Sequence, residues 1–165
     1  MTRLDTERTS NRELRQDAQS VVTDALAKLL ADTAMLALKT QNYHWNGVGP
    51  QFYGFHKMTE QQYEELNAAM DLLAERLRAL GRSAPGTYMA YSRMTSIAED
   101  ETLPPIDEMA RQLIQDHDAV IRTAHQAATS AEHANDQGTL DLLGERTSSH
   151  EKMQWMLRST LEQQP

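Results

Sequence analysis

The chain of 165 residues contains no cysteine. Disulfides, thiolate metal sites and cysteine nucleophiles are therefore excluded. Aromatic residues make up only 5%, and there are 7 glycines and 5 prolines. So few rings and turn residues disfavour a sheet protein of many short strands and favour long helices joined by few loops. No stretch approaches the ~20 apolar residues that span a bilayer, and the polar opening holds no unbroken apolar run of a secretory signal. The expectation is a cytoplasmic protein with no membrane partner. Positive charge is also scarce, with 16 Lys and Arg against 24 Asp and Glu for a net −8. Such a body is not drawn to nucleic acid by its overall field, but it suits the gathering of metal cations.

What is present is the helical period. From about Asp17 an apolar stripe runs through Val21, Val22, Ala25, Leu26, Leu29, Leu30, Thr33, Leu36 and Ala37 in steps of three and four. It ends at Asn46-Gly47 and Gly49-Pro50. A second helix from near Pro50 carries Phe52, Phe55, Met58, Leu66, Met70, Leu73 and Leu77 and stops at Gly81. A short helix is expected around Ser92–Ala98, a third long one from Pro105 to Ala134, and a fourth from Thr139 to Glu162. The fold class is thus all-α: a four-helix bundle with a short helix in the long connection between helices 2 and 3. Residues 1–16, polar and mixed in charge, are expected to be a flexible tail before a bundle domain over 17–165.

The chemistry sits on the second helix. His56 and Glu60 are spaced i, i+4, as are Asp71 and Glu75, and His44 closes the helix before. Residues four apart lie one above the other, so each pair can share a ligand, and both pairs fall in one sector of the helix. Yet His56 and Asp71 are separated by fifteen residues, roughly 22 Å at the helical rise, so one ion cannot touch both pairs of one chain. Two copies of the helix packed antiparallel about a two-fold axis would bring His56 and Glu60 of one chain to Asp71 and Glu75 of the other, twice per dimer. Mixed imidazole and carboxylate ligands suit iron, manganese or zinc. The other readings of these residues are a solvated acidic face, a surface ion pair and, for His44, a helix C-terminal cap.

His44-Trp45-Asn46, then Gly49, Phe52 and His56, and finally the Asp71-x-x-Ala-Glu-Arg76 run before Gly81 resemble the DNA-binding proteins from starved cells (Dps), the miniferritins of the ferritin-like superfamily. The resemblance extends over roughly residues 20–163. It implies a hollow dodecamer built from two-fold dimers and a ferroxidase activity. Ferrous iron would be oxidised, preferably by hydrogen peroxide rather than O2, at inter-subunit sites with two iron positions each. Ferric mineral would be stored inside, sparing the cell and its DNA oxidative damage. Carried over by residue, the resemblance implies metal ligands His44, His56 and Glu60 from one subunit and Asp71 and Glu75 from its mate. Trp45 would stand beside the site, able to give an electron to a stray oxidant; an ordinary core aromatic is the alternative. Glu132, Asp136 and Asp141 would line a three-fold pore, with an N-terminal cap as the alternative for Asp136.

Two departures stand out. The position of Glu60 is commonly Asp in this family, so its longer side chain bears on the second iron position. The tail carries Arg3, Arg8, Arg12 and Arg15 but no lysine, balanced over residues 1–17 by Asp5, Glu7, Glu13 and Asp17. DNA binding, and with it any association with the nucleoid, is expected to be weak or absent. Asp116-His117-Asp118 reads as solvated polar surface, and His125, His133 and His150 stand singly and carry no assigned role. The 9 methionines read as flexible core filler.

Overall fold

The computed structural model describes the backbone of residues 3–161 and the side chains of residues 16–161. In chain order the helices are α1 (Arg3–Asn46), α2 (Phe52–Ala79), α3 (Tyr88–Met94), α4 (Ile106–His133) and α5 (Gln137–Leu161), with no strand among the described residues. This is the expected four-helix bundle with a short helix in the crossover. The structure moves two boundaries. Helix α1 begins at Arg3, well before the apolar stripe, because the Glu, Arg, Leu and Gln of that stretch are good helix formers without one. The short helix lies at Tyr88–Met94 rather than Ser92–Ala98, where the Thr87 hydroxyl caps it by accepting from the Ala90 amide at 3.2 Å. The balanced charge expected of the first residues falls largely on side chains outside the described ones.

The core is a column of leucines and alanines. Leu26, Leu29, Leu30 and Leu36 of α1 meet Leu66, Leu73 and Leu77 of α2, Met109 and Leu113 of α4, and Leu143 and Leu157 of α5, all fully buried. Of the stripe read in α1, Val21 alone is strongly exposed.

The turns that close the bundle are decided by backbone geometry. After α2, Gly81 takes φ 83°, and the amides of Gly81 and Arg82 donate to the carbonyls of Arg78 and Leu77. This reciprocal pattern satisfies the last carbonyls of the helix, and glycine adopts that φ without strain. After α4, Asn135 at φ 54° does the same with Glu132, while the next amide, that of Asp136, returns to Ala131.

Polar rungs stitch the crossover onto α1. Asp32, fully buried, accepts from the hydroxyls of Thr95 and Thr123 at 3.0 and 2.7 Å. The Lys39 ammonium bonds the Ala98 carbonyl and the Asp116 carboxylate. The Tyr43 hydroxyl donates to Asp100 at 2.6 Å. Bonds from the Thr102 side chain, from Tyr43 and from the Thr102 amide hold the Asp100 carboxyl down at about 2. The last of these rungs sits one residue before His44, so the crossover braces the end of α1 that carries the candidate ligand.

Candidate metal centre

The chain turns from α1 into α2 in five residues, which brings His44 and His56 face to face. Their rings stack at 3.8 Å between centroids with 16° between planes. His44 Nδ1 lies 2.8 Å from the His56 carbonyl oxygen, and His56 Nδ1 lies 3.0 Å from the His44 carbonyl oxygen. A carbonyl can only accept, so both Nδ1 atoms carry protons and donate. This reciprocal clip leaves Nε2 of each ring as the nitrogen free to bind a metal. A second hydrogen bond on the far ring nitrogen is how ligating histidines are oriented. Phe52 and Tyr63 flank the stacked pair at 5.0 and 5.2 Å.

Glu60 joins this group, one turn along α2 from His56. The Lys57 ammonium, 2.7 Å from its carboxylate, holds Glu60 below the usual carboxylate range, and the two imidazoles add to that effect. Trp45 is 62% exposed, so the alternative of a core aromatic is ruled out. It lines a 300 Å³ hollow with Asn42, Lys39 and Asp100 beside the crossover.

Asp71 and Glu75 stand apart. Both are exposed on α2, whose 28 residues run unbroken from the histidine end to theirs. Among the described residues, no group of three or more His, Asp or Glu side chains within the chain could hold a metal ion. One protomer therefore carries two separate candidate half-sites: the clipped imidazole pair, with Glu60 one turn away and held by Lys57, and the exposed carboxylates Asp71 and Glu75. The donor set of nitrogen and carboxylate oxygen fits iron.

The acidic trio near the α4–α5 turn divides. Asp136 accepts from the Thr139 amide at 3.1 Å and the Thr139 hydroxyl at 2.6 Å, and it pairs with Arg76. It is the N-cap of α5, so the structure favours the capping alternative for this residue. Gly138 is placed against the same arginine: an added Cβ would stand 3.2 Å from the guanidinium nitrogens. Glu132 and Asp141 are exposed, and Asp141 accepts from Gln137 at 2.7 Å. No described helix is long and apolar enough to cross a membrane.

Two histidines depart from expectation. His117 and His150 are fully buried, with Nδ1 atoms 2.9 Å apart. The reading of His117 as surface is corrected, because its phase on α4 follows Leu113 and Val120 rather than its flanking aspartates.

A family model described as ferritin-like domain matches residues 23–165. The chain is 32% identical over 142 residues to DNA protection during starvation protein 2 of Bacillus anthracis, an alignment that takes in 86% of this chain and 97% of the relative. The chain belongs to the Dps proteins of the ferritin-like family. Among solved Dps structures, that from Bacillus brevis is 32% identical with a TM-score of 0.86, covering 88% of this chain and 98% of the other. The Vibrio cholerae O1 Dps, described as a member of a broad superfamily of ferritin-like diiron-carboxylate proteins, is 25% identical with a TM-score of 0.85, covering 88% and 92%. The Dps assignment accords with the His-Trp-Asn and Asp-x-x-Ala-Glu-Arg runs that frame the two half-sites.

Proposed function

We propose that this Dps protein is a ferroxidase and iron store whose metal site forms between two copies of the chain. The observation that carries this reading is the placing of the two half-sites along one continuous helix. His44 and His56 leave Nε2 free where α1 meets the start of α2, Glu60 lies one turn on and is held by Lys57, and Asp71 and Glu75 are exposed toward the other end. An antiparallel meeting of two α2 helices joins unlike half-sites twice per dimer and leaves no ligand unused. A closed shell of twelve chains, as implied by the family resemblance, would enclose the stored ferric mineral.

In this reading iron is the substrate. The clipped imidazoles fix two nitrogen donors without cost at the moment of binding, since their orientation is set by the backbone. The carboxylates favour the ferric over the ferrous ion, which makes electron loss easier. Two ferrous ions each give one electron to one peroxide, whose O–O bond breaks to hydroxide and water after proton uptake, so no hydroxyl radical need escape. Trp45, next to His44 in the chain and exposed, serves as a sacrificial electron donor. Glu60 must leave Lys57 to reach a metal, which makes the second iron position the weaker of the two. Glu132 and Asp141 remain candidates for a pore lining. The protein acts in the cytoplasm, protecting cell constituents chiefly by removing iron and peroxide, with little DNA binding of its own.

The test is stopped-flow ferric absorbance after ferrous loading, with peroxide or O2 as oxidant. Fast oxidation that is quicker with peroxide and lost in His44→Ala and His56→Ala is expected. Equal rates in those variants would overturn the site.

A further inference from the structure

At the centre of the bundle lies a polar group that the iron chemistry does not use. His117 of α4 and His150 of α5 are both 0% exposed, and their Nδ1 atoms approach to 2.9 Å. One ring must donate its Nδ1 proton and the other accept it, and with both rings neutral a single proton lies between them. The donor ring then has a lone pair at Nε2 and the acceptor ring an N–H there. Both Nε2 atoms are buried without a partner, as are Thr40 Oγ1 of α1 and Gln62 Oε1 of α2. The Lys39–Asp116 ion pair sets residues 39 and 40 beside 116 and 117. The bond from Gln62 Nε2 to the Met153 carbonyl sets Gln62 about one turn from His150. Unpaired buried polar atoms thus come from all four long helices. Orphaned groups of this kind are costly unless water completes them.

The surroundings decide which charge state is tolerated. From α1, Lys39 is bound to Asp116. From α2, Glu65 is bound to Arg146 of α5, which itself lies toward His150. From α4, Asp118 is taken by Gln154 and Arg158. Each of these carboxylates already has a cationic partner, and Arg146 adds a like charge. Burial drives His117 down to about 3, and burial, then His117 and Arg146, push His150 well below the ordinary value.

We propose that His117 and His150 form an acid-sensitive latch between α4 and α5, a neutral pair completed by internal water that must open before it can be charged. Released chains bind protons at both imidazoles below about 6.5, whereas the closed bundle binds neither until far lower pH. The latch therefore contributes its full stability above that value and loses it as pH falls toward 3. Over that window two protons favour the open form, so its equilibrium constant rises about 100-fold per pH unit.

The test compares the intact assembly with His117→Met/His150→Met, whose side chains fill similar space. Proton uptake on denaturation at pH 5 should be about two per chain greater for the unsubstituted protein, as two free imidazoles require. Amide exchange across α4 and α5, corrected for its intrinsic pH dependence, should accelerate from pH 7 to 5 in the parent and not in the variant. Should the variant fail to fold, imidazole nitrogen resonances of the folded parent at pH 5 decide alone. His117 and His150 should both remain neutral. A charged ring in the folded parent, equal proton uptake, or unchanged exchange would overturn the latch.

Discussion

His44 and His56 each donate an Nδ1 proton to the other's backbone carbonyl, so one stacked pair both locks the α1–α2 turn and presents two Nε2 donors. Structure and ligand geometry are here the same contacts. Losing one ring removes one bond and the stacking that couples the two rings, while the other ring keeps its backbone acceptor.

The first prediction concerns that coupling. His44→Ala should cost about 1 kcal/mol from one lost hydrogen bond, since the His56 carbonyl keeps the Thr59 hydroxyl as a donor. It should also abolish fast ferrous oxidation. Chemical denaturation checks the former and stopped-flow absorbance the latter; an unchanged midpoint would show that the clip does not hold the turn.

Asp136 offers a separation of roles. Asp136→Ala should destabilise by about 0.5–2 kcal/mol as a lost N-cap, while Asp136→Asn, which still caps, should recover most of that. Initial iron uptake in Asp136→Asn should stay within two-fold of the parent by the roughly half-kcal/mol scale of a neutral surface change. A large uptake defect with intact stability would instead support a pore role.

Much of this was legible in the sequence, and the exceptions have physical causes. The separation of His56 and Glu60 from Asp71 and Glu75 along α2 follows from i, i+4 spacing and helix length, both of which are local. The clip was not legible, because it depends on how residues 47–51 bend the chain. His117 and His150 were missed because they lie 33 positions apart on two helices, and because Asp116 and Asp118 made His117 look solvated. A signal existed: Leu113, His117, Val120 and Ala124 keep the three-and-four step of the α4 core, all buried. Asp32 was missed similarly, since the groups that satisfy it, Thr95 and Thr123, are distant in sequence. The Asp136 cap was legible as an alternative but not decidable until Thr139 and Arg76 were placed.

Weak DNA binding is the third prediction. The four arginines of residues 1–17 are matched by four acids on a body of net charge −8. No retardation of duplex DNA is expected at physiological salt and neutral pH. Retained binding with a salt slope of several released counterions would contradict it.

Assembly is the fourth. Among the described residues of one chain, no group of three or more His, Asp or Glu could hold a metal ion. Light scattering should show a dimer or a multiple of one, twelve chains in the full shell, and dilution to monomers should end oxidation.

The shared site itself is tested most directly by mixing two dead variants. His56→Ala and Glu75→Ala should each abolish fast ferrous oxidation while leaving the bundle folded, since neither side chain is buried in the core. In a mixed dimer, ligands from opposite chains put both lesions into one site and leave the other intact. Stopped-flow ferric absorbance of co-assembled variants, shown to contain both chains, should therefore regain part of the activity that neither shows alone. No recovery in such mixtures would contradict the inter-subunit site.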